Sequence, residues 1–139
     1  MILKVLDIIL KGKLLTMLGS LNNEGSIEKK GVVYKYFGDS IDVALKVLGK
    51  KMDIKLDEYE ILGRIPYESE NKYSAVFYRF EDKVYCAVKG SQETIINFSD
   101  RMKVNGNVIP IDKEMLNNQN EMLAKDGYRV ISFAYGKVE

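Results

Sequence analysis

The feature that most restricts the fold is a pair of strand-like runs separated by only two residues. The first run, residues 73–80, is rich in aromatic and β-branched side chains, and the second, residues 83–89, begins directly after Glu81 and Asp82. A connection this short is typical of a β-hairpin, whose strands are antiparallel. The sequence therefore predicts a hairpin here, and we expect the neighbouring strands to be antiparallel as well.

Other strands and helices follow from hydrophobic periodicity and from capping residues. Strands are predicted at residues 32–37, 59–65 and 128–135, and a small hairpin is predicted around Gly106. Pro66 ends the second of these strands, where its missing N–H suits a strand end or a sheet edge. Three further helices are predicted. The first begins at Asp39 or Ser40, the second covers residues 92–100 after the capping residue Ser91, and the third runs from Asp112 to a C-terminal cap at Gly127.

The apolar opening segment does not have the pattern of a membrane span. Charges at Lys4, Asp7 and Lys11 interrupt it, so no uncharged run of about 18 residues remains. Apolar residues at helical spacing instead predict two short amphipathic helices that are split near Gly12. The polar residues 19–31 that follow are predicted to form a surface loop.

Together these elements predict one domain of the α/β (α+β) class, a mainly antiparallel sheet with helices packed against it. Within residues 1–139, residues 1–30 are expected to supply helical cover and a surface loop, and residues 31–139 to form the core. A length of 139 residues and a hydrophobic content of 46% are sufficient for a core without disulfides.

Composition excludes several kinds of site. The chain has 21 Lys and Arg residues against 20 Asp and Glu residues, and its net charge of +1 argues against binding nucleic acid through overall charge. Cys86 is the single cysteine and there is no histidine. A disulfide within the chain and metal sites built from His and Cys are therefore excluded, and no metal ligand is assigned.

The polar connection after the strand at residues 59–65 carries an aromatic side chain and a lysine. An aromatic ring where a chain leaves a sheet, here Tyr67, can stack on a base, which contributes ~1–3 kcal/mol, and Lys72 is close enough along the chain to reach a phosphate. The alternative is an ordinary surface turn with a partly packed ring. The residues of this connection do not by themselves decide between the two.

Four segments of the chain resemble the nucleotide-binding (N) domain of P-type cation-transporting ATPases. Tyr67, Ser69 and Lys72 match its Phe-x-Ser-x-x-Lys signature. The other three segments occur in the family's order, and the four together cover roughly residues 38 to 136. They are residues 38–45 (GDSIDVAL), 88–93 (VKGSQE) and 126–131 (DGYRVI). The pattern resembles the calcium, sodium/potassium, proton and magnesium branch, because the heavy-metal branch uses a histidine-containing motif.

The resemblance implies a twisted antiparallel sheet and assigns roles around a base. In the family, the acid at the position of Asp42 accepts a hydrogen bond from the exocyclic amine of adenine, and the ring at the position of Tyr67 stacks on the base. Tyr67 keeps the π-face of the usual Phe. From the residues alone, Asp42 is equally explained as a charge that stabilises a helix start, and Asp39 as a cap.

Other matching residues are implied to hold the rest of the nucleotide. Lys72 corresponds to a lysine that reaches it, and Ser69 matches a turn serine. Lys89 corresponds to the lysine at the bottom of the adenosine pocket, and Gly90 to a glycine that lets the ligand approach the backbone. Arg129 is expected to bind phosphate through its guanidinium group.

The resemblance implies an ATP-binding domain of a cation pump. Such a domain holds ATP, with Mg²⁺ carried by the nucleotide, for phosphoryl transfer to an aspartate in a separate domain. The expected partners are the phosphorylation, actuator and membrane domains of the parent pump, an integral membrane protein with this domain on its cytoplasmic side. The phosphorylated Asp-Lys-Thr-Gly-Thr motif is absent from the sequence. No catalytic residue is therefore assigned, and we expect ATP binding without turnover, no nucleic-acid partner and no direct membrane insertion of this segment.

Two other functions stay open on the sequence. The first is a stand-alone phosphatase or kinase, although the chain has no Walker A loop and no recognisable general-base constellation. The second is a protein-interaction module in which the face around Tyr67 meets another chain instead of a base.

Overall fold

The computed structural model of the chain describes residues 3–6 and 12–139, which contain both strands and helices. The strands are β1 (Leu3–Leu6), β2 (Ser26–Lys30), β3 (Val33–Phe37), β4 (Glu60–Glu68), β5 (Tyr73–Phe80), β6 (Lys83–Gly90), β7 (Ser99–Val104), β8 (Asn107–Pro110) and β9 (Ser132–Lys137). The helices are α1 (Gly12–Leu21), α2 (Ser40–Lys51), α3 (Gln92–Asn97) and α4 (Lys113–Lys125).

Seven of these strands form one sheet in the order β4-β5-β6-β9-β1-β7-β8, and β2 and β3 form a separate hairpin. Neighbours in the large sheet are antiparallel except β1 and β7, which are parallel. The predicted class, a mainly antiparallel sheet with helices, is therefore confirmed. The predicted β5–β6 hairpin is confirmed, and its turn residues Glu81 and Asp82 have φ angles of 47° and 60°, as a tight two-residue turn requires.

Both faces of the large sheet carry a hydrophobic cluster. Successive residues of a strand point to opposite faces, so Ala75 and Val88 pack with Ile95 of α3 on one side. Val76 and Ala87 pack with Leu18 of α1 on the other side. Burial of both faces anchors β5 and β6 in the middle of the molecule, and the two strands thereby hold the polar residues at their ends in place.

The N-terminal prediction is partly wrong. Residues 3–6 form β1, between β9 and β7 in the sheet, and not the first amphipathic helix. A short apolar run fits a buried strand as well as a helix turn by periodicity, which explains the error; the rest of that predicted helix lies outside the described residues. The second predicted helix, after Gly12, is confirmed as α1.

Three further boundaries differ from the predictions. The predicted surface loop at residues 19–31 contains the end of α1 and the strand β2. The helix predicted over residues 92–100 ends at Asn97, because Ser99 already begins β7. The last strand begins at Ser132 and not at residue 128, so that Arg129 lies in the preceding connection.

The edge position predicted for Pro66 is confirmed. It lies in β4, which is the terminal strand of the sheet. However, β4 continues to Glu68, so Tyr67 belongs to the strand and not to the connection. The helix caps were predicted correctly: the side chain of Asp39 accepts the Ile41 N–H, and Asp112 accepts the Met115 N–H.

Candidate functional site

A cleft of about 280 Å³ lies where the start of α2, the end of β4, the β6–α3 junction and the connection before β9 meet. This volume is close to the lower end of the range for small-molecule sites, ~300–1,000 Å³. Five of the seven residues predicted to bind a nucleotide line the cleft: Asp42, Tyr67, Lys89, Gly90 and Arg129. The other two, Ser69 and Lys72, are exposed in the turn between β4 and β5 and do not line it.

An irregularity in β4 accompanies the placement of Tyr67. The pairing of β4 with β5 shifts register between Ile65 and Glu68, around Pro66, which has no N–H to donate to the ladder. Such bulges change the direction of a side chain. The Tyr67 side chain lines the cleft and is 50% exposed, which leaves ring surface available for stacking.

The bottom of the cleft contains a buried ion pair. Asp42 lies in the first turn of α2, as predicted, and its Oδ1 is bound by the Nζ of Lys89 from the end of β6. Both side chains are 9% exposed. The Lys89 Nζ also donates to the carbonyl of Asn22 at 2.9 Å, and the Asp42 Oδ2 accepts the Glu24 N–H at 3.1 Å. Buried charges need such partners because desolvation is costly, and here the two charges satisfy each other.

The segment that supports this pair was missed by the sequence analysis. Asn22, 2% exposed, donates through Nδ2 to the Ser74 carbonyl at 2.9 Å and to the Ala87 carbonyl at 3.3 Å. Its Oδ1 accepts the Ser74 hydroxyl at 3.1 Å. Asn22 therefore connects the end of α1 to β5 and β6, beneath the cleft.

Asn23 performs the same task toward α2. Its Nδ2 donates to the Asp42 carbonyl at 2.7 Å and to the Gly19 carbonyl at 2.9 Å, and its Oδ1 accepts the Gly25 N–H at 2.8 Å. Paired asparagines before a glycine are a common turn signal, which is why residues 19–31 were predicted to be exposed. The only sequence signal for burial was their position directly after the apolar stripe of α1.

Gly90 is required by the neighbouring strand. It pairs with Tyr73, and a Cβ at Gly90 would lie 2.4 Å from the Lys72 carbonyl oxygen and 2.9 Å from the Tyr73 Cβ. The same carbonyl accepts the Ser91 N–H at 3.1 Å. Close approach of two strands therefore requires a glycine here, and the role of Gly90 in the approach of a ligand stays a prediction.

The cap of α4 directs Arg129 to the cleft. Gly127 has a φ of 83°, its N–H donates to the Ala124 carbonyl, and the Tyr128 N–H donates to the Leu123 carbonyl. This is the glycine-terminated helix ending expected from the sequence. The chain then turns back, and the exposed Arg129 borders the cleft.

Comparison with known proteins gives this arrangement a family. Residues 13–139 match the family model for P-type ATPase cytoplasmic domain N. The chain belongs to this family. The resemblance inferred from four short segments is therefore confirmed, and the matched region includes all of the residues that line the cleft of this N domain.

Two of the relatives that match the chain are named as cation-transporting ATPases. The N domain is 28% identical over 126 residues to the cation-transporting ATPase pma1 of Synechocystis sp., which covers 87% of this chain and 14% of the relative. It is 32% identical over 90 residues to the sodium/potassium-transporting ATPase subunit alpha-A of Artemia franciscana, which covers 61% of this chain and 9% of the relative. The chain thus spans a small part of the length of these relatives.

Two further observations concern metal binding and membrane spans. Within residues 3–6 and 12–139, no group of three or more His, Cys, Asp or Glu side chains is arranged to hold a metal ion. None of the helices in the described part of the chain has the length and apolar character needed to cross a membrane.

Proposed function

We propose that the cleft of this N domain binds ATP. The observation that supports this most directly is convergence: Asp42, Tyr67, Lys89 and Arg129 come from four separate segments of the chain and line one cleft. An aromatic face, an acid and two cations are the groups that a purine base with an attached phosphate chain requires.

The position of each side chain suggests its task. Tyr67, half exposed at the border of the cleft, stacks on the base. Asp42 accepts a hydrogen bond from the exocyclic amine of adenine, Lys89 forms the bottom of the adenosine pocket, and Gly90 lets the nucleotide come close to the backbone. Arg129, exposed in the connection between α4 and β9, binds phosphate.

Lys72 and Ser69 lie outside the cleft, in the turn that follows Tyr67. A triphosphate is longer than the adenosine that the cleft accommodates. We therefore assign to Lys72 a contact with phosphate groups that extend beyond the cleft. Ser69, in the same turn, is assigned a contact between its hydroxyl group and the nucleotide. The backbone of Lys72 is fixed by hydrogen bonds to Glu68 and Ser91, so its side chain starts from a defined point.

This binding function fits one step of a pump cycle. The proposed domain, residues 1–139, holds ATP for transfer of its γ-phosphoryl group to an aspartate in a separate domain of an ATP-driven cation pump. Its partners are the phosphorylation, actuator and membrane domains of that pump. The Mg²⁺ arrives on the phosphates of the nucleotide, and the domain alone is expected to bind ATP without turnover.

The expected affinity is modest. One stacked base contributes ~1–3 kcal/mol, and together with two or three exposed charge-assisted contacts the total is about 4–6 kcal/mol. This corresponds to a dissociation constant of roughly 0.05–1 mM. Weak binding suits a domain that must release its nucleotide in each cycle.

An amide chemical-shift titration with ATP–Mg tests the proposal and locates the site together. We expect saturable shifts centred on Tyr67, Lys89 and Arg129, with weaker binding of GTP–Mg. Absence of binding at several millimolar ATP would refute the proposal. Shifts centred far from the cleft would assign the nucleotide to another surface, and phosphate release by the pure domain would favour an independent enzyme.

A further inference from the structure

A second depression lies beside the cleft, between α1, α2, the end of α4 and β9. Its volume is about 450 Å³, and sites for small molecules measure ~300–1,000 Å³. Nine of its twelve lining residues are aliphatic or phenylalanine, so it offers apolar surface to a ligand. Six of them define what we call the apolar groove: Leu15, Ala44, Leu45, Leu48, Leu123 and Phe133.

The apolar stripe of α2 is wider than the core of the domain can cover. Leu45 packs against the cluster that contains Leu18 of α1. Ala44 is exposed, and Leu48, one turn further along the helix, is 41% exposed. On the other side of the groove, Leu123 at the end of α4 is 39% exposed. Exposed apolar surface that is gathered in one place marks a binding site more often than scattered apolar residues do.

Arg129 is the single charged residue among the twelve that line the groove. Within residues 3–6 and 12–139, no carboxylate lies within ion-pairing distance of its guanidinium. Arg129, Ile41, Val130 and Ile131 line the cleft as well as the groove. The two depressions therefore share one wall, and the cation of that wall is accessible from both.

We infer that the apolar groove binds the alkyl chain of a free fatty acid, whose carboxylate pairs with Arg129. The aliphatic walls accommodate the chain, and a guanidinium binds a carboxylate through two parallel hydrogen bonds. Because a phosphate of ATP is assigned to the same guanidinium, the two ligands compete for it. The competition rests on the proposed function, whereas the binding of the fatty acid does not. Linkage requires each ligand to weaken the other by the same factor.

Decanoate, kept below the concentration at which it forms micelles, is the probe. Its binding to the full chain is measured by chemical-shift titration, and the shifts should centre on the apolar groove. In the series hexanoate, octanoate and decanoate, affinity should rise about 2- to 4-fold for each added methylene, as burial of the chain predicts. Decyltrimethylammonium has the same chain with a positive head group, and it should bind at least about 3-fold more weakly than decanoate.

Three single variants locate the ligand. Leu48→Gln makes one wall polar and should weaken decanoate binding about 3- to 10-fold. Arg129→Gln removes the charge partner and should weaken it about 3- to 5-fold. Met122→Gln is the control, because Met122 is 68% exposed on α4 and does not line the groove, and it should leave decanoate affinity unchanged. Leu48 is partly exposed, so the fold is expected to persist, which thermal unfolding checks.

The effect of decanoate on nucleotides tests the shared cation. At saturating decanoate, ATP affinity should fall by the same factor of about 3 to 5 that Arg129→Gln causes. Adenosine has no phosphate, so its affinity should not change. In Arg129→Gln, decanoate should have no effect on ATP affinity.

Four results would overturn the inference. Equal decanoate affinity in Leu48→Gln and the wild-type domain would place the ligand elsewhere, and equal affinity for decanoate and decyltrimethylammonium would remove Arg129 as its partner. Binding to vesicles of anionic phospholipid without binding of monomeric decanoate would assign the groove to a membrane surface. A dimer in sedimentation experiments that Leu48→Gln dissociates would assign it to a second copy of the chain.

The two proposals fail separately. If decanoate binds in the groove and the domain does not bind ATP, the proposed function fails and the fatty-acid site stands. If ATP binds and decanoate does not, the inference is wrong and the nucleotide site stands. If both bind and decanoate leaves ATP affinity unchanged, the competition for Arg129 is refuted.

Discussion

The floor and the rim of the cleft contain the same kinds of polar group in opposite states. We define the floor as Asn22, Asn23, Asp42 and Lys89, whose exposed fractions, counted over the whole residue, are 2%, 6%, 6% and 7%. We define the rim as Glu24, Tyr67 and Arg129, which are exposed. On the floor, each charge and amide is satisfied by another part of the chain. On the rim, the side chains keep capacity for a ligand.

This difference teaches which residues should affect folding and which should affect binding. A buried polar group that loses its partner costs the full desolvation penalty of what remains. An exposed group that is truncated returns its partners to water at little cost. The floor should therefore respond to substitution mainly through stability, and the rim mainly through affinity.

The largest effect is expected for Lys89→Met. This substitution leaves the buried Asp42 carboxylate without its cation, and removal of one partner of a buried pair typically costs about 3–5 kcal/mol of unfolding free energy. Urea unfolding measures it. A loss below about 1 kcal/mol would show that the pair is solvated and that the floor does not differ from the rim.

Two controls sharpen this result. The double variant Asp42→Asn with Lys89→Met removes both charges, so it should lose less free energy than the sum of the two single variants. Lys55→Met removes one partner of an exposed pair, in which Lys55 and Asp53 are 72% and 82% exposed. No measurable change in unfolding is expected there.

Gly90→Ala tests the backbone next to the floor residue Lys89, through sterics instead of charge. Its Cβ would lie 2.4 Å from the Lys72 carbonyl oxygen, so β5 and β6 must separate at this point, which should cost about 2–3 kcal/mol. Gly63→Ala in β4 is the matched control, because a Cβ there has no neighbour within 4 Å. Equal unfolding midpoints for the two variants would contradict the steric explanation.

Tyr67→Ala, on the rim, should lower ATP affinity and leave stability almost unchanged. The ring is half exposed on the edge strand, so stability should change by less than about 0.5 kcal/mol. ATP affinity should fall about 5- to 100-fold if the ring stacks on the base. Tyr67→Phe should retain the affinity, and so should Tyr128→Ala, whose ring is 65% exposed and does not line the cleft. Unchanged ATP affinity in Tyr67→Ala would remove Tyr67 from the site.

The elements that could be predicted from the sequence are those with local signals. The β5–β6 hairpin follows from a two-residue turn between strand-like runs, and α2 and α4 follow from their aspartate caps. The strand β1 could not be predicted in this way, because a run of four residues is too short to separate a strand from a helix. Its parallel pairing with β7 depends on contacts almost a hundred residues away, such as Leu3 with Ser99.

The residues of the candidate site also differ in whether a local sequence signal predicts them. The rim residue Tyr67 and the cations Lys89 and Arg129 were found through family motifs, which are local strings. The ion pair of Asp42 with Lys89 joins residues 47 positions apart, and Asn22 is bound to Ser74 across 52 positions. No local pattern encodes such partners, so the asparagines were predicted as an exposed turn. Burial of polar groups is visible only when the tertiary partners are known.

The smallest expected effect distinguishes the two cations assigned to phosphate. Arg129 lines the cleft and Lys72 does not. Arg129→Gln should therefore weaken ATP binding about 3- to 5-fold and Lys72→Gln about 2-fold at low salt, since exposed charge contacts are worth ~1 kcal/mol or less. Both losses should shrink as ionic strength rises, because salt screens exposed charges. Affinity for adenosine should stay constant in both variants, since it has no phosphate. A larger loss in Lys72→Gln would mean that the phosphates leave the cleft on the side of the β4–β5 turn, and a loss of adenosine binding in Arg129→Gln would show that this side of the rim holds the base.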